Sequence, residues 1–306
     1  MAPTAAALKI RSVRAGVIDV GSNTVRLLVA GAADPGVETI STRRAYVGLA
    51  AEIERSGAIS DEKLAEVAGV AGRYAAIAFE HAVETLEVIV TAPGRHSANS
   101  IELHDALAAA TGVSVRQLSA EDEGRLAYAG AVGACESVPE TVAVVDVGGG
   151  STQLMVGTEC EPAWLRSLDL GSLRLTERFL GSNQLLMAEL DALRDAVASA
   201  FDGLAPPLPL GALATGGTAR TLRRIAGRRL GEENLTAALE VFAGKMAAEL
   251  AAEHGIPVER ARVLPAGTVI LREIHRRLGV KLEVAKGGLR EGAMRGLLAD
   301  LVEAAA

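Results

Sequence analysis

Hydrophobic and polar positions along the chain fall into blocks whose period switches between two and about 3.6 residues, the pattern of strands interleaved with amphipathic helices. Residues 14–20 form a short apolar run that ends in Asp19-Val20, and Gly21-Ser22-Asn23 separates it from a second apolar run over 25–30. The pair predicts a β-hairpin. A further extended segment is expected over 37–47. Ser60 then offers a good helix N-cap, and Leu64, Val67, Ala68, Ala71, Ala75 and Ala78 behind it recur at helical spacing, so this helix should lay one face on a sheet. The same reading gives a strand over 86–91, a helix over 97–110, a strand over 113–118 and a helix over 121–132 whose first turn is acidic, as the helix dipole prefers.

Near Ser137-Val138-Pro139 the pattern breaks, and residues 141–147 start it over with an apolar strand ending in Asp146, a turn Gly148-Gly149-Gly150-Ser151-Thr152, and a second apolar run to Gly157. Asp19-Val20-Gly21-Ser22 and Asp146-Val147-Gly148-Gly149 align at an offset of 127 residues, too long for a solenoid repeat and suited to a duplicated domain. Beyond the second hairpin come expected helices over 173–179 and 185–201, a strand over 210–214, helices over 218–225, 235–253 and 266–278, a strand over 282–285 and a final helix from Leu289. The 306 residues accommodate two cores, and the expectation is an α/β molecule with lobes 1–135 and 136–306, the last helix being free to pack back on the first lobe.

Composition narrows the function classes. With 33 glycines, 49% hydrophobic and 23% charged residues, the chain suits a soluble α/β protein rich in tight turns and disfavours disorder. A net charge of −7 gives no general attraction to nucleic acid or to an anionic membrane, so a polyanion must be held by local cations and backbone amides. Cys135 and Cys160 have neither a metal-thiolate nor a CxxC spacing, and the start lacks the ordered regions of a leader. A cytoplasmic, unanchored protein is expected.

Both hairpins place an aspartate at the end of an apolar strand and follow it with glycine and hydroxyl residues. Backbone N–H groups can converge there on an anion while the carboxylate faces the same space. Two such aspartates, Asp19 and Asp146, with water and substrate phosphates, would suit Mg²⁺ or Mn²⁺, hard cations that take oxygen ligands. A third turn, Ala214-Thr215-Gly216-Gly217-Thr218, lies between a strand and a helix; Gly216 and Gly217 either bare a helix N-terminus to phosphate or allow close strand-to-helix packing. A fourth, Lys286-Gly287-Gly288-Leu289-Arg290, joins two cations to a helix start. No P-loop pattern and no dinucleotide GxGxxG follows a strand. The five histidines show no metal-ligand spacing, and the arginine runs at 220–229 and 272–277 read as solvated helix faces before they read as a polyanion path.

The segments GVIDVGSNTVRLLV, VVDVGGGSTQLMVG, LSAEDEGRLAYAGAV, RVLPAGTVIL and KGGLREGAM, in this order and over nearly the whole chain, resemble the exopolyphosphatase/guanosine pentaphosphate phosphatase family. The resemblance implies the two-domain actin-like ATPase fold (ribonuclease H-like, shared with sugar kinases, Hsp70 and actin), with duplicated lobes and a phosphate-binding cleft between them. It implies a homodimer that hydrolyses terminal phosphoanhydride bonds of polyphosphate or guanosine pentaphosphate with Mg²⁺. It further implies Glu123 as the activator of the attacking water, Ser22, Asn23, Thr24, Gly148, Gly149, Gly150 and Ser151 as the phosphate cradle, and Arg95 as a phosphate ligand. Arg26 matches a recurrent family position and can equally pair with an acid in its own lobe.

Two departures bear on this. The family usually has glutamate where this chain has Gln153, and ATSAxRDAxN where it has VTAPGRHSAN. A neutral amide still offers a ligand oxygen but no charge, so either weaker metal binding or a compensating acid elsewhere is expected. The sequence also ends soon after GLREGAM, without the extra C-terminal domains of longer members, which suggests a preference for short chains. The rival readings are an ATP-dependent kinase of the same superfamily, favoured by the turn ATGGTART, and a catalytically weak polyphosphate or nucleotide sensor, favoured by Gln153.

Overall fold

The expected hairpin forms in the computed structural model, which describes residues 13–33, 36–181 and 185–304; the leader reading rests on residues outside this range. Contacts divide the chain into two compact units, one running to Ser119 and resuming at Leu289, the other Ala120–Gly288.

In the first unit β1 (Arg14–Val20), β2 (Thr24–Ala32) and β3 (Val37–Tyr46) form an antiparallel meander. β4 (Thr85–Val90) and β5 (Val115–Gln117) add in parallel beside β1, giving the order β3-β2-β1-β4-β5. The central strands are apolar on both faces, as strands covered on both sides must be. One face carries Ile18, Val20, Val25 and Leu27 and meets Leu64, Val67 and Tyr74 of α2 (Asp61–Glu80) and Leu103 and Leu107 of α4 (Ser100–Thr111). Ser60 caps α2 as the sequence predicts, its Oγ accepting from Lys63 N at 3.3 Å. Two short helices that the periodicity does not predict, α1 (Leu49–Ser56) and α3 (Ala92–His96), follow β3 and β4. The last helix, α12 (Leu289–Ala304), packs on β1 and β2, where the Arg290 Nη1 donates to Leu27 O at 3.3 Å.

The second unit repeats this plan. β6 (Val142–Val147), β7 (Thr152–Gly157) and β8 (Pro162–Leu168) are antiparallel neighbours, β9 (Gly211–Thr215) and β11 (Leu282–Val284) continue in parallel, and β10 (Arg229–Leu230) closes the order β10-β11-β9-β6-β7-β8. Neither β8 nor β10 is anticipated by the sequence pattern. One core joins Val145, Val147 and Leu154 of this sheet to α7 (Met187–Ser199), α8 (Gly216–Ile225), α9 (Glu232–Phe242) and α11 (Val258–Leu278). α6 (Ser172–Phe179) and α10 (Ala247–His254) pack against α11. The single helix expected over 235–253 is thus two, α9 and α10, with Gly244 at φ 76° between them. The helix expected from 266 begins at Val258 and takes Pro265 into its interior.

α5 (Ala120–Val132) lies on β6, β7 and β8 and belongs to the second unit. Its fit depends on bare backbone: a Cβ on Gly124 would lie 2.7 Å from Leu165 Cδ1 and 2.9 Å from Met155 Sδ, and one on Gly287 would lie 2.0 Å from Gly130 O. Gly287 of the KGG segment therefore serves α5 packing. Tyr128, buried on the same helix, donates to Thr158 O at 2.6 Å, and burial pushes its phenol up to about 12. Among the described residues no helix is long and apolar enough to cross a membrane.

Candidate active site

In both units the chemistry collects at the C-terminal ends of the parallel strands, the usual place for ligands in open α/β sheets. In the first unit the turn after β1 closes with Gly21 N donating to Thr24 O at 3.0 Å; in the second, Gly148 N donates to Ser151 O at 2.9 Å. The two turns thus carry the same hydrogen bond at the 127-residue offset, so the duplication read from the sequence extends to individual backbone atoms.

Each turn is then gripped by the start of a helix. Gly148 O accepts from Ser172 N at 2.9 Å and Ser172 Oγ at 3.1 Å, and Gly149 O accepts from Leu173 N and Arg174 N, both at 3.0 Å. A trans peptide points its N–H opposite to its C=O, so the Gly149 and Gly150 amides face away from α6. Two adjacent donors aimed the same way form an anion-binding concavity. Gly171 is the hinge of this arrangement, since a Cβ there would lie 2.1 Å from Gly149 O. In the first unit Ser22 O accepts from Ala50 N at 2.9 Å and Asn23 O from Val47 N at 3.0 Å, which turns the Asn23 and Thr24 amides away from the start of α1 by the same geometry. Ser22, Asn23 and Thr24 are buried polar residues, and Asn23 Nδ2 has no partner among the described residues.

Asp146 stands in a polar row that crosses the second sheet: Thr215, Asp146, Gln153 and Ser167 are register partners on β9, β6, β7 and β8. Gln153 is 0% exposed and its Nε2 donates to Ser151 Oγ at 3.0 Å and Ser167 Oγ at 3.2 Å. Its Oε1, like Thr215 Oγ1 on the other side of Asp146, is buried without a hydrogen-bond partner among the described residues. A carboxylate flanked by two unsatisfied neutral oxygens is a donor set that fits a hard cation. Among the described residues no three His, Cys, Asp or Glu side chains cluster into a metal cage, so any cation here must complete its shell with water or substrate.

Gly216 has φ 86°, and a Cβ on it would lie 2.8 Å from Asp146 Oδ1. This glycine is what lets the β9 turn close on the carboxylate. A Cβ on Gly217 would lie 2.5 Å from Nη2 of Arg260, a guanidinium only 5% exposed in the first turn of α11. Sequence reasoning passed over Arg260; the one available signal is a cation in a helical first turn, where the dipole disfavours it. Beside the N-terminus of α8 it adds positive potential to a place already suited to an anion.

Glu123, 6% exposed, sits in the first turn of α5 immediately before the packed Gly124. In the first unit Asp19 and Arg26 are register partners, and Arg26 Nε donates to Thr24 Oγ1 at 3.0 Å, inside the cradle. Arg95 is on α3, where its Nη1 donates to Leu118 O at 3.0 Å. The Gly94 before it accommodates Gln117, whose Oε1 would be 1.7 Å from a Cβ there, so this glycine of TAPGRHSAN makes room for a neighbouring side chain. Asp19, Ser22, Asn23, Thr24 and Arg26 are thus brought together in one unit, and Asp146, Gly148, Gly149, Gly150, Ser151, Gly216 and Gly217 in the other.

Residues 28–301 match the model of the Ppx/GppA phosphatase family. Exopolyphosphatase 1 of Mycobacterium leprae is 31% identical over 300 residues, covering 91% of this chain and 88% of that protein; the Mycobacterium tuberculosis protein of the same name is also 31% identical, covering 91% and 86%. A solved Aquifex aeolicus Ppx/GppA family member superposes with TM-score 0.79 at 25% identity over 95% of this chain and 98% of that one. An exopolyphosphatase from Cytophaga hutchinsonii shares the fold with TM-score 0.83 at 20% identity, over 94% and 98%. The two mixed sheets with their repeated turns are those of the actin-like ATPase fold, and the chain belongs to the Ppx/GppA phosphatase family.

Proposed function

We propose that this chain is an exopolyphosphatase-type hydrolase that releases terminal phosphate from inorganic polyphosphate, with short chains preferred and guanosine pentaphosphate as a second substrate. The observation that carries the reading is the duplicated turn, Asp19 with Gly21 and Thr24 and Asp146 with Gly148 and Ser151, in a member of this phosphatase family. The paired Asn23/Thr24 and Gly149/Gly150 amides offer preorganised donors to phosphate oxygens, which is how phosphoryl transfer is catalysed where positioning and charge stabilisation dominate. Arg260, Arg26 and Arg95 add fixed positive charge in their units.

Asp19 and Asp146, each in its own unit, are the carboxylates that would hold Mg²⁺, with Mn²⁺ as a substitute, and Gln153 Oε1 and Thr215 Oγ1 would supply neutral oxygens next to Asp146. Such a cation, when bound, offsets phosphate charge and raises the acidity of bound water. Glu123 accepts the proton of the attacking water as its oxygen bonds to the terminal phosphorus; the bridging P–O bond breaks and the shortened chain leaves with that oxygen. Both cysteines are free, which supports a reducing, cytoplasmic setting. Family membership alone supports a homodimer.

The test is phosphate release with Mg²⁺ or Mn²⁺ from tripolyphosphate, long polyphosphate, guanosine pentaphosphate and ATP in parallel. Release from polyphosphate, reduced on the order of a hundredfold or more in Glu123→Gln with binding retained, is expected for the loss of a general base. Phosphate passed from ATP to an acceptor without polymer hydrolysis would make the protein a kinase, and tight binding without turnover a sensor.

A further inference from the structure

The register of the first sheet sets a line of charge that the terminal-phosphate cradle does not account for. Asp19 on β1 is opposite Arg26 on β2, and Arg26 is opposite Arg44 on β3. Directly opposed residues share a face of the sheet, so a carboxylate and two guanidiniums run in a row from the cradle to the free edge of the sheet, β3 being its outermost strand. Arg43, next along β3, pairs with Leu27 on the other face and is engaged by Ser41 Oγ at 3.1 Å and Thr42 O at 2.8 Å. Arg44 is exposed and has no hydrogen-bond or ion-pair partner among the described residues.

Like charges directly opposed on neighbouring strands are destabilising; Asp19 faces Arg26 from its other side, whereas Arg44 at the edge has no acidic neighbour within the sheet among the described residues. Thr42 and Tyr46 on β3, and Thr24 and Leu28 on β2, are its same-face neighbours, and all are neutral. From Asp19 to Arg44 is two strand spacings, about 10 Å, which one phosphate cannot bridge and a row of linked phosphates can.

We infer that Arg44, in line with Arg26, forms a subsite for the phosphates that follow the terminal one, so that this edge of the sheet selects a linear polyanion over a single phosphoryl group. The inference rests on the proposed polyphosphate reading and names a specificity-determining residue for it. A planar guanidinium takes two oxygens of such a chain, whichever chain length the reaction centre accepts.

The experiment compares wild type, Arg44→Gln, Arg44→Glu and Arg44→Lys for kcat and KM on long polyphosphate and tripolyphosphate, with the Kd of long polyphosphate measured separately by calorimetry. In Arg44→Gln the ratio of kcat/KM for long over short substrate should fall about tenfold, the worth of one charge-assisted contact. That loss should be carried by KM, be matched in Kd, be larger in Arg44→Glu and be partly restored in Arg44→Lys. An unchanged ratio and Kd, in a wild type that hydrolyses polyphosphate, overturns the subsite and leaves the hydrolase reading standing. Binding that depends on Arg44 in a protein that releases no phosphate does the reverse. Neither binding nor hydrolysis of polyphosphate removes both.

Discussion

Gln153 is the residue at which the proposed cation site is most directly tested. It is wholly buried beside Asp146, its amide nitrogen held by Ser151 and Ser167 and its oxygen unsatisfied. Replacing it with glutamate puts a wholly buried carboxylate beside the half-buried Asp146, which disfavours their joint ionisation unless a cation intervenes. Gln153→Glu should therefore lower Tm in metal-free buffer, and Mg²⁺ or Mn²⁺ should raise Tm more in the variant than in the wild type. Equal metal-induced shifts in the two proteins would mean that this position does not face a cation. At this scale the sequence made Asp19, Asp146 and both glycine turns legible, because strand-end carboxylates and bare backbone leave a local signature. Arg260 was not legible, since its meaning comes from Gly217, forty-three residues earlier. The role of Gly287 was hidden for the same reason: its partner, Gly130, is on a distant helix.

Between residue and molecule, helices are fixed to one another by ion pairs that do not bear on substrate. Glu232, in the first turn of α9, takes Arg276 and Arg272 from the last turns of α11, with Arg272 Nη2 and Arg276 Nη2 each 2.6 Å from Oε1. The hydrogen bond from Arg276, supported by Arg272, holds its carboxyl down to about 2, against an ordinary 4.5. A carboxylate with a depressed folded-state pKa contributes stability that is complete above its unfolded value and is lost as pH falls through the folded one. The difference in Tm between wild type and Glu232→Gln should thus be full above pH 5 and shrink between about pH 4.5 and pH 2; a difference independent of pH across that window would show that the pair acts by packing alone. Elements of this size were mostly readable. Those missed have a physical reason: α1 is eight residues long and offers too few turns for a period, β8 is a half-exposed edge strand with weak alternation, and the break between α9 and α10 depends on Gly244, whose N–H reaches Leu185 O at 3.2 Å. The helix expected from 266 starts earlier because α11 tolerates Pro265 inside a wholly buried stretch.

The whole molecule is two copies of one plan, and the chain exchanges helices between them. After β5 of the first unit it enters α5, which covers the second sheet; after β11 of the second it enters α12, which covers the first. Periodicity located the duplication through its hairpins but had no means of assigning these two helices, because an amphipathic face does not name the sheet that it covers. The exchange also puts Glu123, early in the chain, in the same unit as Asp146 and the Gly148–Gly150 turn. Each unit carries one carboxylate-bearing turn with the same closing hydrogen bond, the feature on which the proposed exopolyphosphatase reading rests. The most direct test is ³¹P NMR of long polyphosphate incubated with the purified protein and Mg²⁺. Orthophosphate should accumulate and internal-phosphate signal fall while the end-group signal stays constant until the chains are short. A rise in end groups, which reports internal cleavage, or an unchanged spectrum at saturating metal would contradict the account.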